Sequence, residues 1–226
     1  MMLRQAARWG EVTAISLVWA AAVLGSAVLL MLLPVYTSAA SQALGIPATA
    51  GLSRADALRL SSQVRSLVSD SRFAPLPATW RGRPGFDEPA VEHLLDVRAV
   101  LHVARIVTGA AALVLALYVA FCLARRRTRL LRAGMLGGAL LVAALVVVAA
   151  IVALGDFDAF FAWFHSLFFR AGTWTFPADS LLIRLFPERF WEVSGAVLAA
   201  LSLLGGAALA IAARLLRVNA SRQLLH

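Results

Sequence analysis

The chain has 226 residues, of which 61% are hydrophobic and only 15% are charged. This composition excludes an ordinary soluble globular domain and places the chain among integral membrane proteins. All 21 basic residues are arginine, and the net charge is +9. We do not expect a nucleic-acid partner, because the arginines cluster at the ends of apolar runs.

Four apolar runs are long enough to cross a bilayer, which takes about 20 residues. We predict membrane helices over residues 12–35, 97–123, 133–154 and 193–216. No small-residue cleavage site follows a short apolar core near the N-terminus. The first run is therefore expected to be a retained span and not a signal peptide.

The distribution of charge predicts the orientation of these spans. Arginines precede the first run, fill the short loop 124–132 and recur in the tail 217–226. By the positive-inside rule these segments are cytoplasmic, as are both termini, and the arginines are expected to contact phospholipid headgroups. Eleven of the twelve acids lie instead in loops 36–96 and 155–192. We predict an all-α membrane protein with four transmembrane helices, whose two outward-facing loops form an extracytoplasmic cap.

The first outward loop contains a predicted amphipathic helix over residues 54–69. Ser53 and Asp56 have the spacing of a capping box, and a stripe of apolar residues follows at helical spacing. We expect this helix to pack on the membrane surface or on the other loop. A segment rich in proline and glycine comes next and is predicted to be an irregular connection. It ends at Pro89, which suits the first turn of a helix.

Polar residues crowd the start of the second run. They are Glu92, His93, Asp96, Arg98, His102 and Arg105. Polar groups inside a span are costly and usually pair or face a cavity. The ordinary explanation is that Arg98 extends to lipid headgroups while His93 helps to fold the loop. The same pattern also suits a site for a substrate in the outer leaflet.

The second outward loop is dense in aromatic residues. Five phenylalanines recur at helical spacing from Phe157 to Phe168, as in the aromatic belt of a membrane interface. His165 is the only titratable residue between Asp158 and Arg170. Further along, Asp179 is predicted to cap a short helix that ends at Pro187.

Two segments carry a family resemblance. These are EHLLDVRAVLH, at the start of the second run, and FHSLFFRAGTWTFPADSLLIRLFPERFW, before the fourth. Both resemble the bacterial membrane family of lipoprotein intramolecular transacylases, called Lit, and the four-span layout agrees. Before Trp80 the first loop has no matching motif.

The resemblance implies an activity and a site. Family members move an acyl chain from the glyceryl group of a diacylated lipoprotein to its N-terminal cysteine amine, giving a lyso-form lipoprotein. Catalysis depends on two outward-facing histidines, which correspond by motif to His93 and His165. The implied location is the bacterial cytoplasmic membrane, with the active site on its extracytoplasmic side.

Histidine suits this chemistry because it titrates near neutrality and both accepts and donates protons. The substrate's own amine attacks, so the enzyme needs no nucleophile, although an acyl-histidine intermediate stays open. Glu92 or Asp96 is a candidate to orient a histidine. Arg98 or Trp174, or nearby backbone N–H groups, are candidates to bind the oxyanion or a substrate carbonyl.

Two other functions remain alternatives: a small transporter or lipid-binding subunit with Arg98, His102 and Arg105 along its path, and a structural membrane protein. The single cysteine, Cys122, excludes a CxxC thiol oxidoreductase. Motifs for nucleotide binding, zinc proteolysis and serine hydrolysis are missing. We therefore expect neither a cofactor nor a metal, and the sequence leaves the oligomeric state open.

Overall fold

A computed structural model describes residues 2–71 and 74–222, which are mostly helical. The elements are α1 (Met2–Met31), α2 (Pro34–Ala43), α3 (Ile46–Thr49), α4 (Arg54–Ser69), β1 (Thr79–Trp80), β2 (Arg83–Pro84), α5 (Glu88–Ala124), α6 (Thr128–Gly155), α7 (Phe157–Ser166), α8 (Leu181–Leu185) and α9 (Glu188–Arg222). The end of the predicted tail, residues 223–226, lies outside the described residues.

Within the described ranges, four helices are long and apolar enough to cross a membrane. They are Arg8–Met31, Glu88–Ala124, Thr128–Gly155 and Glu188–Arg217. The predicted helical fold with four membrane helices is thus confirmed. Helix α5 has 37 residues, or roughly 55 Å at 1.5 Å per residue. It is much longer than the hydrocarbon core requires, so its first turns are free to carry polar residues.

One compact unit comprises Met1–Val28, Arg105–Ile151 and Leu198–His226. Small residues let its helices approach closely. A Cβ at Gly134 would collide with the side chain of Ile15. Close by, Ser16 Oγ donates a hydrogen bond to the carbonyl oxygen of Gly134 at 3.2 Å. This unit is therefore held by direct helix packing.

The second unit comprises Leu29–Ala104 and Val152–Val197 and has its own apolar core. Helix α4 supplies the predicted stripe to that core: Ala57, Leu60, Val64, Leu67 and Val68 are all buried. Its start is capped by Ser53 Oγ, which accepts a hydrogen bond from the Asp56 backbone N–H at 3.1 Å. The predicted amphipathic helix and its cap are thus confirmed.

Two local predictions are wrong. The connection before α5 is not wholly irregular, because β1 pairs with β2 in an antiparallel hairpin. Its two-residue turn, Arg81 and Gly82, has φ values of 50° and 76°, which suit the twist of a tight hairpin. The cap of α8 is Ser180 and not Asp179, because it is Ser180 Oγ that accepts from the Ile183 N–H, at 3.3 Å.

Candidate active site

His93 lies in the second turn of α5, where the helix enters the core of the second unit. The Ala90 N–H donates to Asp87 Oδ1 at 3.2 Å, which satisfies one free donor of the first turn. Ala90 and Leu94 are buried beside His93. The histidine itself is only 8% exposed, so packing fixes its position.

His165 lies in the last turn of the short helix α7, in the same unit. The helix begins at Asp156, whose Oδ1 accepts from the Ala159 N–H at 2.9 Å. Every residue of α7 keeps some exposure. The imidazole is instead covered by rings, with centroid distances of 4.0 Å to Phe161 and 4.9 Å to Trp174.

The two imidazoles lie close together although 72 positions separate them along the chain. Their ring centroids are 6.2 Å apart. Phe169 contacts both rings, at 4.9 Å from His93 and 5.7 Å from His165. Phe176 contacts His93 at 5.6 Å. The pair therefore lies in a largely apolar surround, which strengthens electrostatic interactions.

A backbone hydrogen bond sets the tautomer of His165. Its Nδ1 is 2.8 Å from the carbonyl oxygen of Phe161. A carbonyl only accepts, so Nδ1 carries the proton and Nε2 of the neutral ring keeps its lone pair. Burial lowers the pKa of His165 below its ordinary value of 6.5, and the bond to Phe161 partly opposes this. The ring is accordingly a base at neutral pH.

Two buried nitrogens beside His165 have no hydrogen-bond partner among the residues that the structure describes. They are Nδ1 of His93 and Nε1 of Trp174. Buried polar atoms are nearly always paired in folded proteins, and exceptions need an explanation. Two unpaired nitrogens beside His165 are explained if a bound substrate supplies their hydrogen-bond partners.

The other predicted site residues do not converge on the imidazoles in the same way. Glu92 and Asp96 are exposed, and neither hydrogen-bonds to Nδ1 of His93, although the carboxylate of Asp96 interacts electrostatically with that imidazole. Arg98 Nη1 donates to the carbonyl oxygens of Leu67 at 2.5 Å and of Asp70 at 2.7 Å. The guanidinium is therefore engaged at the C-terminal end of α4, and the geometry favours a positioning role over oxyanion binding.

His102 is exposed on α5. In the described ranges, no group of three or more histidine, cysteine or carboxylate side chains is placed to hold a metal ion. The aromatic cover of the imidazoles was not predicted as part of the site. Phe161 lies four positions before His165 on α7, a spacing that signals contact on a helix, whereas Phe169 lies in the turn after α7. Phe176 has no such signal.

Comparison with known proteins identifies the family. The model of the family "lipoprotein intramolecular transacylase Lit" matches residues 12–191, which include every residue of the candidate site. No curated protein matches the chain. The match to Lit does not favour the transporter or lipid-binding alternative.

Solved structures show the same fold. The membrane integral lipoprotein intramolecular transacylase Lit from Bacillus cereus aligns with a TM-score of 0.79 and 18% identity, over 97% of this chain and 99% of that one. A histidine-to-alanine variant of the same protein aligns with a TM-score of 0.76 and 17% identity, over 98% of each chain. Since the family model covers well over half of its length, this chain belongs to the Lit family of membrane-integral lipoprotein transacylases.

Proposed function

We propose that this protein transfers an acyl chain within a diacylated lipoprotein, from the glyceryl group to the N-terminal cysteine amine, and that His93 and His165 carry the protons. The observation that supports these roles is the pair of imidazoles, 6.2 Å apart between ring centroids in an aromatic surround. The product is a lyso-form lipoprotein.

The reaction balances without an added group. The amine nitrogen bonds to the ester carbonyl carbon, and the bond from that carbon to the glyceryl oxygen breaks. The proton that the amine loses is the one that the glyceryl oxygen gains. Amine and ester belong to one molecule, so proximity supplies much of the rate once the enzyme holds them together.

The two histidines divide the proton transfers. Nε2 of His165 accepts the amine proton, because Nδ1 is already bonded to the Phe161 carbonyl oxygen. Two charged imidazoles this close would repel, so the pair holds one added proton at a time. His93 receives that proton and returns it to the glyceryl oxygen as the ester bond breaks.

The aromatic cover protects this transfer from a competing reaction. Water reaching the ester would release a free fatty acid instead of an amide. Phe169 and Phe176 pack against His93 and keep water away from the ester. An acyl-histidine is the alternative route. Hydroxylamine trapping of an acyl group on the purified enzyme would identify it.

We also propose the topology. The protein lies in a bacterial cytoplasmic membrane with both termini cytoplasmic. The four spans are residues 12–35, 97–123, 133–154 and 193–216. Loop 124–132 lies at the inner headgroups, and loops 36–96 and 155–192 form the extracytoplasmic cap. The charge asymmetry supports this orientation. In a Cys122→Ser background, an impermeant maleimide applied to intact cells should label Asp158→Cys and not Arg126→Cys; the reverse pattern rejects the orientation.

The activity is tested with a reporter lipoprotein analysed by mass spectrometry. His93→Ala and His165→Ala should each abolish the lyso-form while the protein stays in the membrane. His102→Ala, a histidine nine positions along α5 from His93, is the matched control and should retain activity. Persistence of the lyso-form in both active-site variants would remove His93 and His165 from the mechanism. Purified wild-type protein should act on a diacylated lipopeptide without ATP, metal or a second acyl donor.

A further inference from the structure

The indole N–H of Trp174 differs from those of Trp19, Trp80 and Trp191. Nε1 of Trp191 donates to the Phe186 carbonyl oxygen at 3.1 Å. Nε1 of Trp19, Trp80 and Trp174 is buried without a partner. Among these three, Trp174 has its ring against a catalytic candidate, 4.9 Å from His165 between centroids. Burial without a partner therefore does not distinguish Trp174 from Trp19 and Trp80. What distinguishes Trp174 is its location beside His165.

The local fold holds this indole in place. Thr173 donates to the Arg170 carbonyl oxygen twice, from its backbone N at 3.2 Å and from Oγ1 at 2.9 Å. Gly172 has a φ of 83°, a left-handed conformation that glycine adopts without strain. The resulting turn brings Trp174 back against His165, and the ring also contacts Phe161 at 6.3 Å.

An indole nitrogen donates one hydrogen bond and accepts none. It stays protonated throughout the reaction and so suits an oxygen on which negative charge develops. A donor held in an apolar surround stabilises such charge without having to reorganise. Arg98 Nη1, the other candidate side-chain donor, is bonded to the carbonyl oxygens of Leu67 and Asp70.

We propose that the Trp174 N–H is the oxyanion donor of the acyl transfer, which makes Trp174 a further catalytic residue. The inference rests on the proposed function. As the amine nitrogen bonds to the ester carbon, the carbonyl electron pair moves onto its oxygen, which accepts the indole N–H. The pair returns when the bond to the glyceryl oxygen breaks, and no proton leaves the indole.

The sharpest test removes the N–H and keeps the ring. β-(3-Benzothienyl)alanine replaces the indole nitrogen by sulfur with nearly the same shape. At position 174 it should lower kcat by about 100-fold, as loss of one oxyanion donor does, with little change in KM or in the thermal midpoint. The same replacement at Trp191 removes a structural hydrogen bond, and at Trp80 it removes an unpartnered N–H away from the imidazoles. Both controls should keep kcat near the wild-type value.

A second measurement separates catalysis from packing. A phosphonate analogue of the tetrahedral intermediate should lose affinity by the factor that kcat/KM loses. A diether lipopeptide, which has no ester carbonyl, should bind unchanged. The inference is overturned if the protein with benzothienylalanine at position 174 keeps the wild-type kcat while His165→Ala abolishes activity. That result would leave the proposed function intact. If the loss of kcat is accompanied by a lower thermal midpoint, Trp174 has a structural role, and the inference is overturned as well. Wild-type protein without transfer activity rejects both.

Discussion

The two helices that carry the imidazoles are built in opposite ways. The first turns of α5 are anchored in an apolar core through Ala90 and Leu94, which are 1% and 6% exposed. Helix α7 has no residue in that core, and Trp163 and Phe164 on its surface are 56% and 45% exposed. His93 is therefore positioned by tertiary packing, whereas His165 is positioned by neighbouring rings and one backbone carbonyl.

This difference predicts which part of the site tolerates change. A packed core transmits a volume change to everything attached to it, so damage to the core of the second unit should reach His93. The outer face of α7 is exposed, apolar and aromatic, as expected of a helix that meets lipid. Changes there should leave the fold intact.

Leu60→Ala should destabilise the second unit most. Leu60 is fully buried on α4, and truncating such a leucine costs about 2–5 kcal/mol in lost burial and cavity formation. Phe164→Ala, on the exposed face of α7, is the control and should cost less than about 1 kcal/mol. Thermal unfolding in detergent measures both variants. Equal destabilisation would show that α7 is packed as firmly as α4, contrary to the comparison.

Arg98→Met should have the next largest effect. The substitution keeps an apolar stem but leaves the carbonyl oxygens of Leu67 and Asp70 without the Nη1 donor. Hydrogen bonds to a charged group contribute about 1.5–3 kcal/mol each, and partial solvation of the carbonyls should reduce the total to about 2 kcal/mol.

The positioning role of Arg98 has its own readout. Arg98 lies five positions after His93, so loosening the end of α4 should disturb His93 and lower kcat more than it raises KM. Arg98→Lys keeps the charge and should recover part of the loss. A rise in KM alone would instead indicate that Arg98 binds substrate directly.

The elements on the α5 side of the site were predictable from local patterns. The stripe of α4 and its Ser53 cap are properties of consecutive residues, and they determine where that helix begins and which face it buries. The four membrane helices follow from length and apolarity alone. The positions of His93 and His165 came from resemblance to a family, because no local rule brings together residues 72 positions apart.

The surround of the imidazoles could not be predicted in the same way. Contact between Trp174 and His165 depends on the turn at Gly172, and contact between Phe176 and His93 joins two chain segments through tertiary packing. The tautomer of His165 depends on a backbone carbonyl that carries no sequence signal. Arg98 was predicted near the chemistry, but its backbone partners on α4 became apparent only once α4 was placed beside α5.

Gly172→Ala tests whether the turn before Trp174 matters. A Cβ at Gly172 meets no atom within 4 Å, so the cost is backbone strain at a φ of 83°, about 1 kcal/mol. Relief of that strain should shift Trp174 and lower kcat several-fold. Gly155→Ala is the control, since its Cβ also meets open space and its φ is not positive. Equal activity of the two variants would show that the turn does not position the indole.

The pH dependence of His165 gives the smallest and most specific effect. Burial lowers the pKa of His165 below 6.5, so the base persists into mildly acidic solution and the acid limb of kcat should lie below pH 6.5. The same shift contributes stability that is complete above pH 6.5 and is lost as the pH falls through the folded-state pKa, because the unfolded chain binds the proton more readily.

Phe161→Ala removes the ring 4.0 Å from the imidazole, but it keeps the carbonyl that bonds Nδ1. Less burial should raise the pKa towards 6.5 and move the acid limb to higher pH, by less than about one unit. Trp163→Ala, which removes a ring from the exposed side of the same helix, should leave the limb in place. If the acid limb does not move in Phe161→Ala, the base that it reports is not His165.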